Sequence, residues 1–367
     1  MTNTAIFRAS TYRISRRVLL AMITGSAAMA ALYLSPLGAT CWAQDVKAAG
    51  SVALHGAGST FAAPLYKKWI EEYAVAHPGV SIAYDSVGSG EGVKRFIADT
   101  VDFAGSDEIL TAAEAAKARD GTLMVPVTAG MIALAYNIPG INSEIKLPRD
   151  VYVDIFAGKI QQWDDPRIKA ANPGVSFPHI DIAIVARQDS SGTTAAFTHH
   201  LAAIPAWRAA GMGVGKVVDW PKGTMLAPGS EGVAGKIKIS DGSIGYVEYW
   251  FAQRLGLRMA AVQNKAGAFI TPTANAGQLA LSGRVAQAKE LDASVADPAN
   301  PGAYPITTYS WMFLYPRYSD RTKAVALRDF AEWSLTRGQN YGAQLGYLPL
   351  SADVVATGTQ ALGGLTQ

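Results

Sequence analysis

The sequence predicts an α/β fold built as two domains, and three observations carry that expectation. Stretches with helical apolar spacing alternate with short β-rich runs, an order that suits α/β rather than all-β chains. Of 367 residues, 324 remain once a leader of 43 is set aside, enough for two separate cores. Three strands are each followed by a small or hydroxyl-rich turn and then a helix.

The leader comes first in chain order. Arg8, Arg13, Arg16 and Arg17 precede a stretch without charge until Asp45, and within it residues 18–34 form an apolar run rich in Ala and Met. A basic start, an apolar centre and a small residue before a polar segment are the anatomy of an export signal. Cys41-Trp42-Ala43 supplies a cleavage site that makes Gln44 the first mature residue. A membrane anchor is the competing reading, since the uncharged stretch nearly spans a bilayer, but the flanks and the Ala-rich centre suit removal. Ser15-Arg16-Arg17-Val18-Leu19-Leu20 fits a twin-arginine leader as well as an ordinary one, so the export route stays open. Cys41 is the sole cysteine, so the rest of the chain can form no disulfide within itself. A lipidated Cys41 would need a large aliphatic residue three positions earlier, where Gly38 stands. Beyond residue 43, 28 Lys and Arg face 29 Asp and Glu, so nothing in the charge points to nucleic acid or an anionic membrane.

The remaining elements follow from periodicity. Residues 62–76 read as a helix, with Leu65, Trp69 and Tyr73 on one face and Lys67, Glu71 and Glu72 off it, stopped by His77-Pro78-Gly79. Residues 80–84 alternate as a strand, and 92–98 read as a helix turning Val93, Phe96 and Ile97 inward. The apolar runs 131–136, 182–185 and 244–247 suit strands buried on both faces. Residues 307–315 read as a strand and 321–337 as a long helix, while the Gly-, Thr- and Gln-rich residues 357–367 are expected to fray.

Three turns have the chemistry of an anion site: Gly56-Ala57-Gly58-Ser59-Thr60-Phe61, Gly88-Ser89-Gly90-Glu91-Gly92 and Asp189-Ser190-Ser191-Gly192-Thr193-Thr194. Unpaired N–H groups at a helix start, backed by the helix dipole, attract an anion. Glycine lets the backbone come close, and Ser or Thr hydroxyls add donors. The same residues also cap helices everywhere, so the three matter only if they converge. None has the spacing of a nucleoside-triphosphate or dinucleotide loop. Gly229-Ser230-Glu231-Gly232 is similar but reads as an ordinary helix cap.

With these loops stand Val-Asp-Phe-Ala-Gly-Ser-Asp at 101–107, Gly-Lys-Ile-Gln-Gln-Trp-Asp-Asp at 158–165, Ala-Arg-Gln-Asp-Ser-Ser-Gly-Thr at 186–193 and Ile-Gly-Tyr-Val-Glu-Tyr at 244–249. In order and at these spacings, they make the chain resemble the periplasmic phosphate-binding proteins of ABC phosphate-uptake systems, from about Leu54 to Leu350. The resemblance implies the two-lobed periplasmic binding protein fold of type II, two α/β domains joined by a two-strand hinge, with phosphate enclosed between them. It implies ligand contacts from Thr60, Phe61, Ser89, Asp107, Arg187, Ser191, Gly192 and Thr193, with Asp189 supporting Arg187. One departure is Ser89-Gly90-Glu91-Gly92 where relatives often have Ser-Ser-Gly-Gly; Glu91 is expected to point outward, since a carboxylate facing the anion would repel it.

Other chemistry is weaker. His199-His200 cannot share one metal ion in the i, i+4 manner, so no metal and no cofactor is expected. His55, His77 and His179 stand alone and read as structural; Asp164-Asp165 before Pro166 reads as a turn or helix start. Trp163, Trp250-Phe251 and Trp311-Met312-Phe313 read as core. A secreted phosphatase using the same anion site is the alternative. It needs a base near Ser59, Ser89 or Ser191, and no His adjoins any of them in sequence. The expected organisation is a signal over 1–43, lobe one over 44–135 plus 307–367, and lobe two over 136–306, with crossings at residues 135–137 and 305–307. The expected function is non-enzymatic capture of inorganic phosphate by a periplasmic monomer that serves a membrane-embedded ABC phosphate permease and binds no nucleic acid.

Overall fold

The computed structural model describes residues 51–282 and 295–366. The expected leader, its cleavage site and Cys41 lie outside these residues.

The first strands and helices alternate: β1 (Val52–Gly58), α1 (Ala63–Ala76), β2 (Val80–Ser86), α2 (Ser89–Ile97), β3 (Phe103–Ser106) and α3 (Ala112–Ala115). β1 runs parallel to both β2 and β3. α1 buries Leu65, Tyr66, Trp69 and Tyr73, and Trp69 Nε1 donates to the Gly338 carbonyl at 2.7 Å. Next comes β4 (Leu123–Asn137), which is buried over nearly its whole length.

β4 changes partner midway. Leu123–Met131 pairs antiparallel with β12 (Thr307–Leu314), and Ile132–Asn137 pairs antiparallel with β8 (Ser243–Glu248). At the join, the Ile132 N–H donates to the Ile306 carbonyl at 2.9 Å. The apolar run at 131–136 is thus the end of a longer strand. Its start is hidden in the sequence by Pro126, Thr128 and Gly130; Pro126 sits at the register slip between Ser310 and Trp311 of β12, where a residue without N–H is tolerated.

The middle of the chain supplies β5 (Lys146–Leu147), α4 (Arg149–Phe156), α5 (Pro166–Ala171), β6 (Ala183–Arg187), α6 (Gly192–Ala202), α7 (Pro205–Ala209), β7 (Met225–Ala227) and α8 (Gly229–Ile239). After β8 follow α9 (Tyr249–Arg254), β9 (Arg258–Met259), β10 (Ala261–Gln263), β11 (Phe269–Ile270) and α10 (Ala274–Ala280). The large sheet has the order β2-β1-β3-β12-β4-β8-β6-β7 with β9 on β4, and β11-β10-β5 form a small second sheet.

Three expectations are corrected. α2 begins at Ser89, not near residue 92, because Gly88 at φ 92° is the break and Ser89-Gly90-Glu91 form the first turn. The C-terminus does not fray: Ala352–Leu362 is a helix capped by Ser351, and Val354, Gly358 and Leu362 are buried at a spacing of four. A Cβ at Gly358 would stand 3.0 Å from Leu335, so that glycine serves close packing rather than flexibility. Trp250 is only half-buried, with the Arg254 guanidinium 4.9 Å above its ring, whereas Phe251, Trp163, Trp311, Met312 and Phe313 are core.

Candidate functional site

The three turns follow β1, β2 and β6, and a fourth carboxylate-bearing turn follows β3. Each opens at the C-terminal end of its strand, where free helix N–H groups collect; β1, β2 and β3 run one way in the sheet and β6 the opposite way.

In the first turn, Ser59 accepts the Ala62 N–H at 3.1 Å and donates to Asp107 Oδ1 at 2.5 Å. Phe61 is buried edge-on against Tyr347, whose hydroxyl donates to the Phe61 carbonyl at 2.6 Å. In the second, Ser89 Oγ accepts the Asp107 N–H at 3.3 Å and lies 3.5 Å from Asp107 Oδ2. Glu91 turns away onto Arg95 at 3.0 Å and Lys94 at 3.6 Å, and these partners, Arg95 first, hold its carboxyl below the usual range.

Asp107 is buried and receives Ser59 and Ser310 on Oδ1, the latter at 2.7 Å. Oδ1 is therefore filled, while Oδ2 has only the long contact with Ser89. Burial pushes the Asp107 carboxyl up to about 6, against the pull of the Ser59 and Ser310 hydroxyls and the Arg187 charge. Asp107 does not cap α3; Thr111 does, in a capping box with Glu114.

Across from these, Arg187 is fixed at the end of β6. Its Nε donates to Asp189 Oδ1 at 2.8 Å, its second terminal nitrogen bonds Asp189 Oδ2, and the other donates to Thr193 Oγ1 at 3.3 Å. Burial opposes ionisation of Asp189, yet the hydrogen bonds and charge of Arg187 hold its carboxyl below the usual range. Ser191 caps α6 by accepting the Thr194 N–H at 3.1 Å.

Two glycines let the halves meet. A Cβ on Gly192 would fall 2.4 Å from Ser89 Oγ and 2.8 Å from the Asp107 nitrogen, and one on Gly88, already at φ 92°, would fall 2.3 Å from Asp189 Oδ2. The Gly90 N–H donates to the Ser190 carbonyl at 2.9 Å. So all eight residues expected at the ligand, with Asp189, lie in or beside one interface, and Ser59, Thr60, Ser89, Asp107, Arg187, Ser191 and Thr193 are buried there.

The donor balance of this interface is distinctive. The backbone N–H groups of Thr60, Phe61, Ser89, Gly192 and Thr193 make no hydrogen bond to any described residue. Buried N–H groups are nearly always paired, so five of them beside an arginine and a weakly engaged carboxylate oxygen are groups that a dehydrated anion carrying a proton would pair with.

Sequence reading missed three contributors. Ser310 enters from β12, where hydroxyls at 307, 308 and 310 interrupt an apolar strand and were the available signal. Lys216 bonds Glu108 at 3.2 Å and Glu114 at 2.9 Å. The segment 229–232 is not an ordinary cap. The N-cap of α8 is Pro228, which makes no side-chain cap bond, while the Gly229 N–H donates to Asp189 at 2.8 Å and the Ser230 N–H to Thr60 Oγ1 at 3.2 Å.

Elsewhere, His200 is buried against the Tyr152 hydroxyl at 2.9 Å and the Ala296 carbonyl at 2.8 Å, and burial pushes its pKa down to about 4. Asp165 caps α5. Among the described residues no three His, Cys, Asp or Glu cluster as a metal site.

Comparison with known proteins identifies the family. Residues 43–337 match the model of the PBP superfamily domain. A phosphate-binding protein PstS of Xylella fastidiosa (strain Temecula1) is 35% identical over 307 residues, covering 83% of each chain. One from Pasteurella multocida (strain Pm70) is 33% identical over 335 residues, covering 91% of this chain and 94% of its own. Among solved structures, a high affinity periplasmic phosphate-binding protein, PfluDING, bound with phosphate, superposes with a TM-score of 0.69 at 22% identity, over 86% of this chain and 99% of its own. At that identity the likeness speaks to fold. The chain belongs to the PBP superfamily, among its phosphate-binding proteins.

Proposed function

We propose that this superfamily member binds inorganic phosphate at the interface just described and delivers it to an ABC-type phosphate import permease. The observation that carries the reading is the donor balance: the loops at this interface hold five N–H groups unpaired among the described residues, the Arg187 guanidinium and several hydroxyls, beside a carboxylate whose Oδ2 has only a long hydrogen bond. Thr60, Phe61, Ser89, Ser191, Gly192, Thr193 and Arg187 donate to the anion, and Asp107 accepts from its P–O–H. Asp189 orients Arg187.

A phosphatase reading has no chemistry to run on. The Ser59 hydroxyl is committed to Asp107 and the Ser191 oxygen to the α6 cap, and Ser89 faces Asp107 rather than a histidine. The chain is a binding protein, not an enzyme.

We read the two halves of the large sheet as the lobes, 44–135 with 307–367 and 136–306, bending where β4 changes partner and where the chain returns at residues 306–307. Ligand then stabilises the closed arrangement through contacts that both lobes must supply together. We read the protein as a periplasmic monomer exported by a leader over 1–43; the family relationship supports the periplasmic compartment. Isothermal titration of residues 44–367 against phosphate, sulfate and a phosphate monoester tests the function. Tight binding of phosphate alone is expected; preference for the ester, or no binding of phosphate, would refute it.

A further inference from the structure

We propose that Ser230 is a positioning residue for ligand recognition, aiming the Thr60 hydroxyl proton at the anion; the inference rests on the proposed phosphate site. Thr60 Oγ1 lies 3.2 Å from the Ser230 nitrogen and 3.1 Å from Ser230 Oγ. A backbone N–H can only donate, so Thr60 Oγ1 accepts there. Either oxygen of the pair could donate to the other; we assign the Ser230 Oγ–H as the donor, which leaves Thr60 its own proton to give elsewhere. Among the described residues the Thr60 hydroxyl has no hydrogen-bond partner beyond Ser230, and the acceptor we assign to its proton is the bound anion. Thr60 is thereby fixed as a donor rather than free to present a lone pair, which would repel phosphate.

The preceding residue works on the other lobe's ligand group. The Gly229 N–H donates to Asp189 Oδ1 at 2.8 Å, the oxygen that also receives Arg187 Nε. Gly229 holds φ 64°, a left-handed conformation that aims two successive N–H groups at two different partners. One turn thus orders a hydroxyl from residue 60 and the carboxylate that orders Arg187. Thr60 and Ser230 also both line a surface groove of about 1120 Å³. Because their hydrogen bond joins the two halves, it exists only in the closed arrangement, and its loss should appear as faster release.

The test is phosphate titration and stopped-flow release on residues 44–367 carrying Ser230→Ala, Ser230→Thr, Thr60→Val and the Thr60→Val/Ser230→Ala pair. Ser230→Ala should weaken phosphate binding about tenfold, mostly through release, the size expected for one hydrogen bond. Ser230→Thr keeps both donors and should stay within about threefold of the parent. In the Thr60→Val background Ser230→Ala should add less than about twofold, since the hydroxyl it aims is gone. Ser230→Ala binding like the parent, or full multiplication of the two effects, overturns the proposal while parent binding of phosphate leaves the function standing. Loss of binding with an equal fall in the ligand-free melting temperature would mark Ser230 as merely structural and overturn it too. A parent that binds no phosphate removes both readings together.

Discussion

At the scale of single residues, Asp107 is the group on which selectivity turns. A carboxylate against an anion is repulsive unless the ligand brings a proton. Phosphate near neutral pH keeps at least one P–O–H to give to Oδ2, and sulfate has none. A site that hydrogen-bonds a ligand hydroxyl rejects the analogue without it by roughly 10⁴ to 10⁵. Asp107→Asn should retain much of the phosphate affinity, because an amide oxygen accepts, while discrimination against sulfate narrows; competition titration reads both. Arg187→Ala should weaken phosphate by roughly 2 to 5 kcal/mol, leaving the partly shielded Asp189 without its partner; calorimetric loss under about 1 kcal/mol would move the affinity onto the backbone donors. Asp107 also sets a pH dependence in the ligand-free protein. Its folded pKa of about 6 stands above the ordinary 3.8, so the native state holds the extra proton between those values. Its contribution is full below about pH 4 and is lost as pH rises through about 6, on the order of 3 kcal/mol. Thermal melts from pH 4 to 7 should show that slope, and Asp107→Asn should flatten it. Residues in the loops were legible because anion chemistry is written locally, as Gly, Ser and Thr at a helix start. Ser310, Ser230 and Lys216 were not: the hydroxyls that interrupt β12 and the Gly-Ser-Glu-Gly turn are visible in the sequence, but nothing local ties them to this site, and Lys216 has no local signature.

Among the elements, those with strong periodicity were readable and those marked by composition alone were not. α1 shows its apolar face at a spacing of four, and β8 and β6 show continuous apolar runs. The helix Ala352–Leu362 was misjudged because Gly, Thr and Gln suggest looseness, whereas Gly358 is there to admit Leu335 and Val125. β4 was half visible, its first part broken by Pro126 and polar residues that its burial between β12 and the core overrides. The element-level consequence for function concerns the start of α6. A Cβ on Gly192 would fall 2.4 Å from Ser89 Oγ and 2.8 Å from the Asp107 nitrogen, so this helix can approach the opposite half this closely only as glycine. Gly192→Ala should leave the ligand-free melting temperature within about 2 °C, since alanine suits a helix start and the clash arises only on closing. It should reduce phosphate affinity at least a hundredfold. Unchanged affinity would mean that the loops do not close this tightly around ligand.

For the whole molecule, the question is what holds the halves together besides the anion. On the side of the site away from Ser230, Lys216 reaches from the segment after α7 to Glu108 at 3.2 Å and Glu114 at 2.9 Å on the opposite half. The Lys216 carbonyl meanwhile accepts the Ser191 N–H at 2.9 Å, tying this bridge to the α6 cap. All three side chains are largely shielded, with relative exposures of 12%, 13% and 27%. Such a cluster is worth more than an exposed ion pair, yet it also costs desolvation when it forms. Its sign can be read by linkage. If these contacts exist only when the halves meet, Lys216→Met weakens phosphate about tenfold or more, speeds release, and leaves the ligand-free melting temperature nearly unchanged. If the ligand-free protein is already closed, the same substitution lowers that melting temperature and alters affinity little, because both states lose the bridge equally. Differential scanning of ligand-free protein beside phosphate titration separates the two. The first pattern is expected: closing without an anion leaves five N–H groups of the interface buried and unpaired, and that cost opposes what the Lys216 bridge contributes.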